Sequence, residues 1–355
     1  MADELSLYEP ILEGPGSRQL ARLLEGMITA QVTSVLARLG VPDQLAAGPR
    51  TAGEIAPQVG AAPDALHRLL TVAAAYGLVS RDTASRFSLT EAGELLRSDV
   101  PGSARALAVG FFGPPIWDLF GRLTDVVRNP EPVNPAAPGG VYGYYAEHPE
   151  QAVWFAGAMG TFTAVLVSQL RNAGFRPLTT GRIVDVGGSR GTLLAYLLQA
   201  LPGASGVLLD RAEALAGAPG YLSGAGVADR TELVTGDFLH AVPSGDLHVL
   251  SHVLHNWDDE HVRAIAGRCH QAGHPGSGLM IIEYLLPDDA APSAAQIMDL
   301  IMMLVLGGRE RTRAQFEALL GPVGYRLVRD TSLTDALPWR ILEFEWTEPE
   351  GVGRG

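Results

Sequence analysis

Four short segments between residues 185 and 310 contain the residue types needed to bind a nucleotide and move a proton. A glycine-rich turn, Asp185 to Gly191, is followed by His255 and then by Glu283 and Glu310. Each segment follows a predicted strand, and the ligand-binding residues of an open α/β sheet collect at the carboxyl ends of its strands. We therefore expect the turn, the base and the two carboxylates to converge in a small-molecule enzyme.

The glycine turn favours a nucleotide site but disfavours hydride chemistry. Gly187, Gly188 and Gly191 let the backbone come close to a ligand and leave the N-terminus of the next helix exposed. A dinucleotide site needs the spacing Gly-x-Gly-x-x-Gly, and neither Gly187 nor Gly188 starts it. The turn alone is a weak signal, so its meaning depends on the residues that follow.

Two acidic residues and an aromatic residue add the elements of an adenosine site. Asp210 ends the second predicted strand, where a carboxylate can accept both hydroxyls of a ribose. Asp237 and Phe238 follow the third strand and offer a carboxylate for an adenine amino group and a face for its ring. Taken singly, Asp210 is equally explained as a helix cap and Asp237 as a turn residue.

His255 is the candidate general base, at the end of the fourth predicted strand. An imidazole with an unperturbed pKa of about 6.5 can accept a proton near neutral pH. A lone histidine is more often structural, but Glu283 and Glu310 could fix its tautomer. Glu310 precedes a capping box that starts at Thr312, which places the carboxylate firmly at a helix entrance.

A metal site is the alternative interpretation of the same region. His248, His252 and His255 lie close together in sequence and could join Glu283 around an ion. Alternation along a strand places His248 and His252 on one face, whereas His255 lies beyond the strand. We therefore predict no metal site.

Charge and composition exclude several classes of function. The 355-residue chain has a net charge of −13, and all 26 of its basic residues are arginines. Without lysine, Schiff-base chemistry is excluded. The acidic balance disfavours nucleic acid as a partner, because phosphate binding needs clustered basic side chains, and it suits a cationic ligand better.

The chain has the composition of a cytoplasmic protein with a large core. Hydrophobic residues make up 47% of it, and the single cysteine, Cys269, cannot form an internal disulfide. The N-terminus lacks the pattern of a secretion signal. No apolar run approaches the roughly 18 residues of a membrane helix, the densest being Leu300 to Leu306, so we expect no membrane partner.

Residues 1–105 have the pattern of a winged-helix domain. Helical spacing of apolar residues from Met27 to Val41 and from Pro63 to Leu78 predicts two helices, and Thr51 begins a capping box between them. The segment from Arg86 to Thr90 resembles a wing strand. DNA recognition by residues 27–97 is one interpretation, but the acidic charge favours a winged-helix fold used for dimerisation.

Residues 106–175 are predicted to form a helical linker or substrate lid. The segment is rich in aromatic and turn-forming residues and includes Trp117, Phe155, Met159 and Phe162. Such a belt could line the pocket of an aromatic ligand, although helix packing explains any single member equally well.

Residues 176–348 alternate short apolar runs with helical segments, which is typical of a parallel sheet built from βαβ units. The fold class is therefore α/β, with a Rossmann-like sheet of seven strands. The predicted strands are Arg182–Val186, Gly206–Asp210, Thr231–Thr235, Leu247–His252, Leu279–Tyr284, Tyr325–Arg329 and Arg340–Trp346.

These residues resemble a known family, the bacterial small-molecule O-methyltransferases that use S-adenosylmethionine and are related to plant caffeate-type enzymes. The resemblance covers nearly the whole chain. It depends on four motifs, namely Asp185-Val186-Gly187-Gly188, Gly236-Asp237-Phe238, His252-Val253-Leu254-His255-Asn256-Trp257-Asp258-Asp259 and Gly307-Gly308-Arg309-Glu310-Arg311-Thr312.

The resemblance implies a role for each candidate residue. The glycine turn, with Asp185, and Asp210 hold the cofactor, Asp237 and Phe238 hold its adenine, and Ser251 is assigned to the same site. His255 is the base, flanked by Glu283 and Glu310, and S-adenosylhomocysteine is the product. The family also implies a homodimer joined through the winged-helix domain.

The acceptor is expected to be a small aromatic metabolite with a phenolic, quinonoid or aryl-acid group. Met159 matches a family position near the methyl donor and acceptor, and Asn256, Met302 and Met303 are further candidates for the acceptor pocket. Core packing explains the methionines equally well.

Two features depart from the expected pattern or leave the activity open. Ser189 replaces a glycine usual in the family's turn and Arg190 follows it, so the methionine end of the cofactor is expected to be held differently. Some relatives carry out hydroxylation, decarboxylation or ring formation instead, and several of those lack the histidine that this chain keeps. A non-methylating member and a winged-helix transcription factor remain the alternatives.

Overall fold

The computed structural model describes residues 6–129, 140–289, 291–333 and 339–348. These form two compact units: Met1–Gly121 with Tyr144–Phe162, and Arg122–Gly143 with Thr163–Gly355. The division at 105 and 175 expected from the sequence stays a prediction, because compactness alone does not define domains that fold separately.

The N-terminal half is mainly helical, with one small sheet. Its elements are α1 (Ser17–Leu39), α2 (Val41–Leu45), α3 (Ala52–Val59), α4 (Pro63–Ala75), β1 (Val79–Arg81), β2 (Phe87–Leu89), α5 (Glu91–Glu94), α6 (Arg105–Phe111), α7 (Ile116–Phe120), α8 (Leu123–Arg128), α9 (Val141–Glu147) and α10 (Pro149–Asn172). Strands β1 and β2 pair antiparallel.

The predicted winged-helix features are present in the first unit. Thr51 forms the full capping box with Glu54 at the start of α3, and Thr90 caps α5 after the wing strand β2. Apolar side chains of α1, α3 and α4 bury Phe87 of the wing, which is completely inaccessible to solvent. The helical pattern and the wing therefore share one core.

The C-terminal half alternates strands and helices. Its elements are β3 (Arg182–Val186), α11 (Thr192–Ala200), β4 (Ser205–Asp210), α12 (Ala212–Leu215), α13 (Ala218–Gly224), β5 (Thr231–Thr235), β6 (Leu247–Ser251), α14 (Asp259–Ala272), β7 (Gly278–Tyr284), α15 (Ala294–Leu306), α16 (Arg313–Leu320), β8 (Tyr325–Ser332) and β9 (Trp339–Trp346).

Within the described part of the chain, seven strands form one sheet in the order β5-β4-β3-β6-β7-β9-β8. Strands β3 to β7 are parallel, and the central ones are apolar on both faces because helices cover both sides. The order reverses direction between β3 and β6, where ligands of such sheets bind. The carboxyl ends of these two strands are therefore the expected site.

The prediction of a parallel sheet is wrong for the last strand. Strand β9 runs antiparallel to both β7 and β8. Only six residues separate β8 from β9 in the sequence, which is too few for a crossover helix, so the strands form an antiparallel pair. The predicted strand boundaries are otherwise confirmed to within a few residues.

Helix α10 is long and apolar enough to cross a membrane by length and composition alone. The expectation that no apolar segment reaches that length overlooked this helix, because glycine, threonine and serine residues interrupt its apolar run. A single helix of this kind is weak support for a membrane span, since core helices of soluble proteins share its length and composition.

Candidate active site

The segment that carries His255 is held by a buried carboxylate on the neighbouring strand. Strand β6 ends at Ser251, and the chain then makes a short 3₁₀ turn over Leu254–Asn256. Glu283, near the end of β7, accepts hydrogen bonds at Oε1 from the backbone N–H groups of Val253 (3.1 Å), Leu254 (2.9 Å) and His255 (3.3 Å). One carboxylate oxygen therefore fixes the backbone of the turn.

The side chain of His255 faces both predicted carboxylates. Its Nδ1 lies 2.8 Å from Oε1 of Glu310 and 3.5 Å from Oε2 of Glu283. The three side chains are buried, that of His255 being 8% exposed. A proton on Nδ1 satisfies the contact with Glu310, which leaves Nε2 as the nitrogen that can take a proton from a substrate.

Glu310 is positioned by the junction of two helices. Helix α15 ends with Gly307 in the left-handed conformation (φ 68°), and Asp299 of that helix accepts a hydrogen bond from the Glu310 N–H at 2.8 Å. A Cβ on Gly308 would lie 2.0 Å from the His255 carbonyl oxygen, so only glycine allows this approach. The capping box predicted at Thr312 is present at the start of α16.

Burial and charge act in opposite directions on the His255 imidazole. Burial lowers its pKa, but the carboxylates of Glu283 and Glu310 outweigh burial and raise the pKa to about 9. Burial raises the pKa of Glu283 to about 7, against the opposing effect of the His255 charge. The pKa of His255 in the ligand-free protein therefore lies above the unperturbed value of about 6.5.

Arg311 is a site residue for which sequence reasoning assigned no role. Its buried guanidinium donates to the carbonyl oxygens of Leu254 (3.2 Å) and Trp257 (2.8 Å) and forms an ion pair with Asp259 (2.8 Å). The two carbonyls flank His255 in the chain.

The predicted histidine cluster does not form a shared face. His248 hydrogen-bonds the Pro243 carbonyl at 3.0 Å, whereas His252 lies past the end of β6 in a left-handed conformation (φ 54°). Its ring centroid is 5.7 Å from that of His255. The alternation of side chains along a strand placed His248 and His252 on one face only because the predicted strand, Leu247–His252, ended one residue too late.

His255, Glu283 and Glu310 each offer a ligand atom within 4.8 Å of the others, a spacing that a metal ion could bridge. The 2.8 Å separation of Nδ1 and Glu310 Oε1 is that of a hydrogen bond, which a proton explains without an ion. The expectation of no metal site stays a prediction.

The glycine turn joins β3 to α11 with very little space around it. Gly187 (φ 75°) donates its N–H to the Leu209 carbonyl at 2.8 Å. A Cβ on Gly188 would lie 2.4 Å from the Asp185 carboxyl and 2.5 Å from Leu208. Ser189 adopts a left-handed conformation (φ 54°), which is typical of the glycine it replaces.

Two carboxylates lie beside this turn. Asp210, at the end of β4, accepts hydrogen bonds from the N–H groups of Ser189 (2.8 Å) and Arg211 (2.7 Å). Asp185 is 1% exposed, and its Oδ2 has no hydrogen-bond partner among the described residues. Burial, together with the nearby Asp210 charge, raises the pKa of Asp185 to about 7.

Asp237 and Phe238 make different contacts. Asp237 accepts the Leu239 N–H at 2.9 Å and contacts His240, the arrangement of a turn residue. Phe238 approaches the glycine turn, since a Cβ on Gly187 would lie 3.6 Å from its ring. Ser251 ends β6 and lies 3.1 Å from the ring nitrogen of His252.

The predicted substrate residues fall in both units. Trp117 borders an apolar hollow with α1, Phe155 stacks on Tyr145 and Phe162 meets Phe111 edge-on. Met159 also lies in this first unit. In the second unit, Asn256 ends the turn that carries His255, Met302 is buried in α15 and Met303 is half-buried. Their joint role in an acceptor pocket stays a prediction.

Tyr142 is an aromatic residue to which the sequence assigned no particular role. The Arg211 guanidinium lies 5.2 Å from the centre of its ring, next to the Asp210 carboxylate. Burial raises the pKa of Tyr142. A tyrosine beside the second strand end adds an aromatic surface to the predicted nucleoside site.

The residues around the turn fit S-adenosylmethionine. Gly188 packs the turn closely on Asp185 and Leu208, and the turn leads into the N-terminus of α11, where backbone N–H groups can meet a ligand. The unpartnered Asp185 oxygen can accept a donor, and Asp210 retains lone pairs for hydroxyl groups. A seven-stranded sheet with this turn, and with a buried histidine beyond its fourth strand, has the features of the S-adenosylmethionine-dependent methyltransferases.

Comparison with known families agrees with this class. Residues 120–326 match the O-methyltransferase domain and residues 21–99 match the O-methyltransferase dimerisation domain. The chain belongs to this O-methyltransferase family and is an S-adenosylmethionine-dependent O-methyltransferase.

Relatives of known activity align over most of the chain. The mitomycin biosynthesis 6-O-methyltransferase of Streptomyces lavendulae is 36% identical, over 90% of this chain and 92% of its own. The O-demethylpuromycin-O-methyltransferase of Streptomyces alboniger is 34% identical, over 92% and 88%.

A solved O-methyltransferase has a similar structure. The enzyme NcsB1 from neocarzinostatin biosynthesis, in complex with S-adenosylmethionine and 2-hydroxy-5-methyl naphthoic acid, has a TM-score of 0.76. It is 31% identical, and the match covers 92% of this chain and 98% of that one.

Proposed function

We propose that this enzyme methylates a hydroxyl group of a small aromatic metabolite, with His255 as the general base. The observation that supports this role is the 2.8 Å contact between Nδ1 of His255 and the buried Glu310 carboxylate. That contact holds the ring in the tautomer whose Nε2 is free to accept a proton. The phenolic, quinonoid or aryl-acid character of the acceptor is part of the proposal.

The cofactor supplies an electrophilic methyl group on a sulfonium, so the protein has to align an acceptor oxygen and remove its proton. Alignment of two reactants can lower a barrier by about 7 to 11 kcal/mol. A general base contributes on the order of 10²- to 10⁴-fold, or roughly 3 to 5 kcal/mol. Positioning therefore dominates, and the task of His255 is proton removal at Nε2.

The cofactor site in this proposal uses the turn and both neighbouring carboxylates. The backbone at Gly187, Gly188 and Gly191 borders the ligand, and Asp210 accepts from the ribose hydroxyls. The unpartnered Asp185 oxygen accepts a donor from the same ligand. Phe238 offers a ring face to the adenine. Asp237 offers a carboxylate to the adenine amino group, and the same carboxylate accepts the Leu239 N–H of its own turn.

The acceptor class rests on side-chain chemistry and on relatives. Aromatic and thioether side chains at the predicted substrate positions suit a flat apolar ligand. The solved enzyme NcsB1 was crystallised with a hydroxylated naphthoic acid. One relative is named as a 6-O-methyltransferase of mitomycin biosynthesis, and the other as an O-demethylpuromycin-O-methyltransferase. These names support a secondary metabolite as the acceptor.

We also propose that the enzyme is a homodimer of the cytoplasm, joined through its dimerisation domain. Helix α1 carries an exposed apolar face that a monomer would leave in water. Its members, with their exposed fractions, are Leu20 (47%), Leu23 (71%), Leu24 (48%) and Met27 (62%).

The proposed function is tested by incubating the purified protein with S-adenosylmethionine labelled in its methyl group. A panel of phenols, hydroquinones and hydroxylated aryl acids serves as acceptors, and label is scored in the extracted product. We expect label in a hydroxyl of at least one aromatic acceptor and an equal amount of S-adenosylhomocysteine. Binding of S-adenosylmethionine without either product across the panel would favour a non-methylating member of the family.

A further inference from the structure

A second polar pocket lies beside the segment that carries His255. It has a volume of about 160 Å³, well above the roughly 10 to 15 Å³ that a single water needs. Three arginines from two stretches of the second unit converge there with one acidic side chain. The polar lining residues are Asp259, Arg263, Arg309, Arg311 and Gln315.

The charge of this pocket is opposite to that of the protein. Three guanidinium groups face one carboxylate, Asp259, whereas the whole chain carries a net charge of −13. A cleft lined by one sign of charge concentrates ligands of the other sign. The pocket is therefore suited to an anion even though the protein as a whole repels anions.

The three arginines differ in whether their N–H donors are occupied. Those of Arg311 are occupied, whereas Arg263 and Arg309 have donors available. Arg311 is 1% exposed and uses its N–H groups on Asp259 and on the backbone carbonyls of Leu254, Trp257 and Arg309. The Asp259 carboxylate balances its charge, so the net positive charge of the pocket comes from Arg263 and Arg309. Within the described part of the chain, no hydrogen bond or ion pair occupies the Arg309 guanidinium. Arg263 makes a single long contact of 3.5 Å to the Asp259 carbonyl.

Gln315 adds a neutral donor to the rim. Its Oε1 accepts the Thr312 N–H at 2.8 Å in the capping box of α16, which leaves the amide NH₂ as a donor. The guanidinium groups of Arg263 and Arg309, which retain available N–H donors, and the Gln315 amide match the oxygens of a phosphate group, which arginine binds in a bidentate manner.

We propose that this pocket, lined by Arg263, Arg309, Arg311 and Gln315, binds a phosphate group. The ligand is either inorganic phosphate or the phosphate of a small metabolite, since both present the same oxygens. The pocket is distinct from the nucleoside site, whose residues follow β3, β4 and β5.

An occupied pocket would act on the segment that carries His255. The N–H of Arg309 donates to the His255 carbonyl at 2.8 Å, and Arg311 holds the carbonyls of Leu254 and Trp257. A phosphate bound by both Arg263 and Arg309 would link two parts of the chain. One is helix α14, which follows the segment that carries His255, and the other is the stretch before α16. Binding should therefore stabilise the turn that presents the base.

The test measures phosphate binding by calorimetry on the full chain saturated with S-adenosylhomocysteine, which keeps phosphate out of the nucleoside site. Inorganic phosphate and glycerol phosphate are titrated separately against sodium chloride of equal ionic strength, with acetate as a carboxylate control. The variant R263Q/R309Q removes the two guanidinium groups that have available donors. The control variant R268Q removes an exposed arginine of α14, the helix that carries Arg263, at a position outside the pocket.

We expect saturable binding of a phosphate compound that R263Q/R309Q weakens at least about tenfold and R268Q leaves unchanged. Binding of both compounds assigns the site to the phosphate group itself, and binding of glycerol phosphate alone assigns it to a metabolite. No saturable heat from either compound, equal affinity for acetate, or an unchanged affinity in R263Q/R309Q would overturn the proposal. Unfolding curves of the variants confirm that each is folded.

Discussion

The two carboxylates beside His255 have opposite effects on its function as a general base. Glu283 and Glu310 hold the ring in place, but their charges raise its pKa to about 9, so the protonated ring predominates at pH 7. A positive charge near the ring disfavours its protonated form. The cofactor brings such a charge in its sulfonium, so we expect cofactor binding to release the base form.

This balance predicts a specific pH dependence. Because only the neutral ring can accept a proton, kcat/KM should rise with pH and level off above the free-enzyme pKa of about 9. Glu310→Gln keeps an acceptor for Nδ1 but removes one negative charge, so the pKa of His255 falls. The rising limb should then shift to lower pH by at least about one unit.

Initial rates across the pH range measure this shift, with Glu317→Gln as the control. Glu317 is an exposed glutamate on the following helix, paired with Arg313 at 3.5 Å, and its variant should keep the wild-type profile. An unshifted limb in Glu310→Gln would mean that the Glu310 charge does not set the pKa of the base.

At the scale of elements, the turn between β3 and α11 combines tight packing with ligand access. In Gly188→Ala, the added methyl would overlap the Asp185 carboxyl and Leu208, so the backbone has to shift. We expect a loss of about 1 to 3 kcal/mol in the free energy of unfolding and weaker binding of S-adenosylhomocysteine. Denaturant unfolding and calorimetry measure the two effects.

Gly203→Ala is the matched control for this change. Gly203 lies in an exposed turn where a Cβ meets nothing within 4 Å, so its variant should stay within about 0.5 kcal/mol of the wild type. Equal stability and cofactor affinity of the two variants would contradict the tight packing at Gly188.

The elements themselves were largely predictable, because strand length and apolar runs are local properties. The caps at Thr51, Thr90 and Thr312 and the strands up to Tyr284 followed from short patterns. The antiparallel direction of β9 was not predictable, since pairing depends on contacts distant in sequence. The role of Arg311 was missed for the same reason, as its partners are more than fifty residues away.

At the scale of the whole molecule, the exposed apolar face of α1 predicts self-association. Leu23 is 71% exposed on this face, and a charge there would lie unpaired in a dimer interface. Leu23→Glu should raise the dimer dissociation constant at least about tenfold. Sedimentation of the wild type should give twice the chain mass of 37.5 kDa, and the variant should shift towards one chain.

Leu178→Glu serves as the control for this experiment, because Leu178 is 55% exposed in the other unit. Its sedimentation should match the wild type. A wild type that sediments as a single chain would contradict the homodimer, and a dimer unaffected by Leu23→Glu would place the interface elsewhere.

The sequence predicted which residues form the site better than it predicted the pKa values of their side chains. His255, Glu283 and Glu310 were expected to converge, and they do. The expectation that each follows a strand is wrong for Glu283, which lies within β7, and for Glu310, which lies between helices α15 and α16. The pKa of His255 could not be predicted, because it depends on the balance between burial and two carboxylates at distances of a few ångströms. The position of His252 likewise depended on a local left-handed turn that strand alternation does not describe.

We propose that His255 removes the acceptor proton while other residues bind the cofactor. The most direct test compares His255→Ala with His274→Ala, an exposed histidine paired with Asp246. With the acceptor found in the labelling assay, kcat of His255→Ala should fall on the order of 10²- to 10⁴-fold, with the S-adenosylhomocysteine affinity nearly unchanged and His274→Ala equal to wild type. A folded His255→Ala enzyme that turns over at the wild-type rate would contradict the account.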